Sequence, residues 1–347
     1  MSEVLACQVE ILDGSTVSID VNKRARAEYL FTEVFRHLGL EETDYFGLQF
    51  EDHKHVIHWV DPLKPIRKQM KRGPYNFVFR VKLYPVDPAY LFDDATKYFL
   101  SLQVKEDLLD QKLVCSEATR AKLFSYLVQG EYGDYDATEH GGTYLDELSY
   151  LDEFPPEFKQ KILDQHKTNR GLLPAECDKK FLEMACRLER YGMDMHRVTD
   201  IASVNLWIGV TARGLTVYFG EWPHLLALNN FPWVRIAAVN FKNKSLMLEM
   251  VSLPGATHTE IIIFGCQTKV LCKDLWKSCV EHHSFFRSIN TAQAKRPSSN
   301  SLFRRGSTFR YSGRTQYRLL QDGTMGGKKK TKFERISSRT RITRKTI

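Results

Sequence analysis

The apolar residues of this chain change their spacing along its length, and those changes divide it before any motif is considered. Early on, apolar and polar positions alternate, as strands facing one core require. Cys7-Gln8-Val9-Glu10-Ile11-Leu12 alternates, Asp13-Gly14 supplies a turn, and Val17, Ile19 and Val21 alternate again. Ala25 to Leu40 carries a helical stripe through Tyr29, Leu30, Val34 and Leu38, and Gly39 is placed to end it. Tyr45–Phe50 and His55–Val60 read as further strands, Leu63–Met70 as a short helix and Tyr75–Tyr84 as a closing strand. This order, two strands, helix, two strands, short helix, strand, is that of a ubiquitin-like β-grasp.

From Asp87 the spacing becomes helical. Pro88-Ala89-Tyr90 opens a helix through Leu91, Ala95, Tyr98, Leu102 and Leu108. A second helix carries Ala121, Phe124, Tyr126 and Leu127, and Phe158–His166 and Pro174–Leu188 are two more, so an all-α bundle is expected. Strands return from Val198: Leu206–Val210, Leu215–Phe219, Val234–Phe241, Ser245–Val251 and Glu260–Phe264. One helix closes the block, with Cys272, Leu275, Trp276, Cys279, His283 and Phe286 expected on one face. Meandering strands capped by one helix give the order of a pleckstrin-homology or phosphotyrosine-binding fold.

Charge separates the rest. From Thr291 onward 16 Lys and Arg stand against Asp322 and Glu334, whereas residues 1–290 hold 34 basic and 40 acidic residues. The overall +8 therefore averages a mildly acidic globule and a strongly basic tail. Such a tail is attracted to anionic surfaces, and its Ser-, Thr-, Gly- and Arg-rich composition offers little apolar area to order it. Seven scattered cysteines argue against a disulfide framework and for a reducing compartment. No stretch approaches the roughly 20 apolar residues that span a bilayer, and Met1-Ser2-Glu3-Val4-Leu5-Ala6 lacks a secretory signal's basic start. A cytoplasmic protein in peripheral contact with membrane is expected.

Particular residues carry a resemblance. Asp44-Tyr45-Phe46-Gly47-Leu48, Gly133-Asp134-Tyr135-Asp136 with His140, Phe231-Pro232-Trp233, and above all Trp276-Lys277-Ser278-Cys279-Val280-Glu281-His282-His283-Ser284-Phe285-Phe286-Arg287 resemble the trilobed FERM domain of the band 4.1 superfamily. Ser301 to Thr315 resembles the FERM-adjacent region of a subset of that superfamily, regarded there as a phosphorylated regulatory segment. The resemblance implies a multidomain α+β protein: a ubiquitin-like lobe over 1–86, a helical lobe over 87–197, a PH/PTB-like lobe over 198–290, and a basic tail over 291–347 expected to lack order.

Two binding surfaces are expected. Lys64, Arg67, Lys68, Lys71 and Arg72 place several cations on one side of a helical turn, which suits a polyphosphate head group. In some relatives a phosphoinositide binds between the first and third lobes, and the resemblance puts Lys64 and Lys68 near that place. In the third lobe, PTB-like folds add a peptide beside the fifth strand. That strand corresponds to Arg235, Ile236, Ala237, Ala238, Val239, Asn240 and Phe241, with Leu275, Cys279, His282 and Phe286 on the helix side. Leu40-Glu41-Glu42-Thr43-Asp44-Tyr45 resembles the acidic segment by which erythroid-type relatives meet membrane-protein tails, although Thr43 is an extra residue there. Glu41-Glu42 and Asp93-Asp94 read as exposed pairs at loop or helix starts. Arg304-Arg305-Gly306-Ser307 suits a basophilic Ser/Thr kinase, with Ser307 or Thr308 as acceptor.

Catalytic chemistry finds no support. No Gly-rich phosphate loop, Ser-His-Asp order or HExxH is present, and Cys266, Cys272, Cys279, His282 and His283 lack zinc-site spacing, so neither metal nor cofactor is expected. The expected function is a non-catalytic adaptor at the inner plasma membrane and cell cortex. Its expected partners are cytoplasmic tails of transmembrane proteins, phosphoinositide-containing membrane, cytoskeletal or scaffold proteins and a basophilic kinase. The alternative is the membrane-targeting part of a FERM-containing tyrosine phosphatase without its catalytic domain. Aromatic residues are too sparse in the tail to favour nucleic acid.

Overall fold

In the first lobe, strands β1 (Val4–Glu10) and β2 (Thr16–Asn22) form an antiparallel hairpin, and β5 (Tyr75–Val81) joins β1 in parallel. With β3 (Phe46–Glu51) and β4 (Ile57–Trp59) the sheet order is β2-β1-β5-β3-β4. Alternation sends Leu5, Cys7 and Val9 into the core, where Leu30 and Val34 of α1 (Glu28–Leu38) meet the sheet. Gly39 ends α1 in the left-handed conformation, φ 64°. The short helix α2 spans only Ile66–Gln69. The structure, a computed structural model, describes residues 3–141, 144–251, 260–286, 311, 313–325 and 335.

The helical lobe holds α3 (Asp94–Leu109), α4 (Glu117–Tyr132), α5 (Pro156–His166) and α6 (Pro174–Ala185). The first of these starts later than apolar spacing suggests. Pro88–Tyr90 is a separate 3-10 turn, and the Asp93 carboxylate caps α3 by accepting from the amides of Ala95 and Thr96. Ser116 caps α4, and α5 and α6 each begin with proline at the first turn. First and second lobes share a packed junction: Phe79 meets Phe99 edge-on at 5.6 Å, the Val81 amide donates to Gln103, and the Tyr84 hydroxyl donates to Asp107 at 2.6 Å.

The chain divides into two units, Met1–Tyr191 with Lys328–Ile347, and Gly192–Gly327. The second holds a seven-stranded sheet in the order β10-β11-β12-β6-β7-β8-β9. These strands are β6 (Asp194–Thr199), β7 (Asn205–Thr211), β8 (Gly214–Glu221), β9 (His224–Pro232), β10 (Ile236–Lys242), β11 (Ser245–Met250) and β12 (Ile261–Gly265). Apolar spacing alone misses β6 and β9. The first carries Asp194, His196 and Arg197, and the second exposes most of its residues, so neither shows a buried alternation.

Helix α7 (Lys269–Phe285) closes the lobe, with Cys272, Leu275, Trp276 and Cys279 in the same core as Ile208, Val239 and Leu248. At its end the buried side turns from the expected His283 and Phe286 to His282 and Phe285. Polar anchors set that rotation: Asp194 accepts from Ser278 at 2.6 Å, and the His282 ring contacts the Ser278 carbonyl at 2.9 Å.

The tail contributes one element that its composition does not announce. Helix α8 (Gln316–Met325) buries Leu319, and Tyr311 packs against the third-lobe core beside Phe285.

Candidate functional site

The basic cluster is exposed but does not form one helical face. Lys64 precedes α2, Lys71 and Arg72 follow it, and only Arg67 and Lys68 lie within it. Pro65 prevents an earlier start: its extended ψ of 141° makes it the cap, and α2 begins at Ile66. Lys64 pairs with Asp61 at 2.5 Å. Among the described residues, Arg67, Lys68, Lys71 and Arg72 form no ion pair, so their charges face solvent. Arg67 borders an open depression of about 560 Å³ that Lys23, Gln8, Tyr75 and Asn76 also line. Lys23 was missed in the sequence because it lies far from Arg67 in the chain. The parallel pairing of β1 with β5 builds the wall between them, and no local pattern announces a parallel pairing.

Within the acidic segment, Glu42 fastens the first lobe to the second, while Glu41 and Asp44 are half-buried. Glu42 is 0% exposed. Its carboxylate accepts the Asp93 amide at 3.0 Å, while the Glu41 amide donates to the Asp93 carboxylate at 3.2 Å. The expectation of an exposed Glu41-Glu42 pair is corrected at Glu42: Asp93 caps α3, and the loop carrying Glu42 closes over that cap. Burial pushes the Glu42 carboxyl up to about 7, against the pull of the Asp93 amide.

The Gly133-Asp134-Tyr135-Asp136 motif is equally structural. His166 donates through Nε2 to the Gly133 carbonyl at 2.8 Å and accepts the Tyr144 hydroxyl at Nδ1, 2.6 Å away. The neutral ring satisfies both contacts, and burial holds its pKa below the ordinary value. Asp134 accepts from the Gly171 amide at 2.7 Å, and the Asp136 amide donates to His140 at 2.8 Å.

In the third lobe, β10 lies at one edge of the sheet. Arg235 falls in the 3-10 turn Trp233–Arg235, so the strand starts at Ile236, and Ala237 to Phe241 complete most of it. Ile236, Ala238 and Val239 face the core, and Asn240 donates to Glu249 at 3.0 Å. On the helix side Leu275, Cys279 and His282 are buried and Phe286 is half-buried. The Trp276 indole donates to the Val239 carbonyl at 3.1 Å, while its ring lies 5.2 Å from that of Phe241. Beside this edge strand lies the half-buried Phe241, and the Val239 carbonyl is already engaged by Trp276.

Ser307 and Thr308 lie outside the described residues. Among the described residues, no three His, Cys, Asp or Glu side chains converge as a metal ion would require, and no helix is long and apolar enough to cross a membrane.

The comparisons agree with this architecture lobe by lobe. The FERM N-terminal domain family matches residues 9–72, the FERM central domain family 87–196, the FERM C-terminal PH-like domain family 200–294 and the FERM adjacent family 301–344. Band 4.1-like protein 2 of Homo sapiens is 39% identical over 338 residues, covering 97% of this chain and 33% of that relative. Protein 4.1 of Bos taurus is 38% identical over 333 residues, covering 96% of this chain and 53% of that relative. The chain thus spans between a third and about half of these relatives. Among solved structures, the FERM and C-terminal domain complex of Drosophila Merlin superposes with a TM-score of 0.72 at 26% identity, over 81% of this chain and 96% of that one. By these matches the chain belongs to the band 4.1 superfamily, as a FERM domain of three lobes followed by a FERM-adjacent region.

Proposed function

We propose that the chain is a non-catalytic adaptor that joins the inner face of the plasma membrane to cytoskeletal or scaffold proteins, working in the cytoplasm and at the cell cortex. The exposed edge of β10 beside α7, in a FERM third lobe, carries this reading. An extended segment from the cytoplasmic tail of a transmembrane protein adds there by main-chain hydrogen bonds, with Ile236 to Phe241 as the template. Lys64, Arg67, Lys68, Lys71 and Arg72 attract phosphoinositide head groups, and the depression shared by Arg67 and Lys23 has the size of a small-ligand site. The basic tail adds a general attraction to anionic lipid, which a basophilic kinase acting on Ser307 or Thr308 reduces.

The test is co-sedimentation of the full chain with phosphatidylserine vesicles near physiological salt, with and without phosphatidylinositol bisphosphate. The Lys64/Lys68/Lys71→Glu variant and an Arg67→Glu/Lys23→Glu variant are run alongside. The reading predicts that the bisphosphate raises binding and that the variants lose this increment while keeping the part due to phosphatidylserine. Equal binding with and without the bisphosphate would remove the head-group site and leave protein partners and the tail as the only routes to membrane.

A further inference from the structure

Asp178 is a buried carboxylate whose counter-charge comes from far along the chain. It sits on α6 with its side chain only 8% exposed, and Arg335, 157 positions later, forms an ion pair with it. The Arg335 guanidinium carbon also lies 5.2 Å from the centre of the Tyr98 ring on α3. The neighbouring lysines do not take this role: Lys179 and Lys180 are exposed, and Lys179 reaches toward Glu183 at 3.8 Å. A carboxylate floor and an aromatic wall match the two ways a guanidinium binds, by its donor fork and by its flat face, and a lysine ammonium matches them less well.

We propose that the helical lobe carries an arginine receptor formed by Asp178 and Tyr98, and that the chain's own tail occupies it through Arg335. Charge favours that occupant. Residues 87–197 hold 22 acidic against 14 basic residues, while the tail holds 16 basic against 2 acidic. The receptor residues lie on α3 and α6 of the helical lobe and are not among those of the first-lobe basic cluster. Docking gives the tail a protein partner that competes with anionic lipid for the same charges. It also holds Arg335 on the helical lobe, a role separate from that of Ser307 and Thr308.

Trypsin reads the contact directly, because it cleaves after Arg335 and, as an internal control, after Arg339. In the intact full-length chain, cleavage after Arg335 should be slower than after Arg339 by about tenfold or more, since cutting requires release of the side chain. Asp178→Asn should bring the two rates together, with far-UV circular dichroism confirming the helices. Because Asp178→Asn changes a buried group, Arg335→Ala provides an independent arm. It should speed hydrogen exchange in the parts of α3 and α6 around Tyr98 and Asp178 while leaving α5 unchanged. Protection that persists on tenfold dilution supports occupancy within one chain; loss on dilution would overturn it in favour of a second copy. Equal cleavage after Arg335 and Arg339 in the unaltered protein, or unchanged exchange in Arg335→Ala, would overturn the receptor itself.

Discussion

A β-carbon added at Gly47 would lie 2.7 Å from the Trp59 ring, closer than packed atoms approach. The ring lies over the strand there, with the Lys82 ammonium 5.2 Å from its centre. Glycine in Tyr45-Phe46-Gly47-Leu48 thus has a steric cause, since it is the only residue that lets an indole lie against the backbone. Gly47→Ala should lower unfolding stability by about 1–3 kcal/mol, the cost of overpacking, as measured by denaturant titration. Glu42 makes a second prediction at this scale. Its carboxyl titrates near 7 in the folded protein, above its ordinary value of 4.5, so folding takes up a proton between those values. Stability should therefore fall as pH rises from about 4.5 to 7 and level off above 7, by up to about 3 kcal/mol from this group. Glu42→Gln should flatten that slope, which thermal melts across the range will measure; an unchanged slope would mean that another group causes it.

At the scale of elements, Trp276 ties α7 to β10 through a main-chain carbonyl. Trp276→Phe keeps most of the buried area and removes the donor, so about 1–2 kcal/mol of stability should be lost. Hydrogen exchange should rise in β10 and the adjoining turns of α7 while β7 and β8 stay protected. The same scale explains what the sequence can tell a reader. Elements with one wet and one dry face are largely plain in it: β1 alternates as expected, α1 buries Leu30, Val34 and Leu38 but exposes Tyr29 of the expected stripe, and α7 follows its expected stripe as far as Cys279. Strands β6 and β9 are not plain, because their partners rather than their own residues make them strands. The basic cluster is visible as composition, but the single helical face that its spacing suggests does not form, because Pro65 delays α2 until the turn is too short to gather all five cations. Burial of Glu42 is hidden for a different reason. A carboxylate closing over a helix start 51 residues away leaves no local trace.

For the whole molecule, charge is divided between residues 1–290, which are mildly acidic, and a tail that is strongly basic. Attraction of such a tail to phosphatidylserine vesicles is electrostatic and screened by salt over roughly 8 Å at physiological ionic strength. Binding of the full chain to phosphatidylserine vesicles should therefore weaken steeply between low and physiological salt. A Ser307→Glu/Thr308→Glu variant should bind more weakly at each salt concentration, in sedimentation against vesicles of fixed composition. A head-group site on the first lobe would behave differently, responding to bisphosphate content more than to bulk salt. The two contributions can thus be separated in one titration.

The bond between Trp276 and Val239 is made to a carbonyl, which every residue in a strand possesses. The clamp is therefore blind to which side chains β10 carries at its solvent-facing positions. Ala237 is exposed and could change while the helix keeps its grip, as long as the backbone stays extended. Divergence among copies of this lobe can then retune what the edge recognises without refitting the helix that braces it.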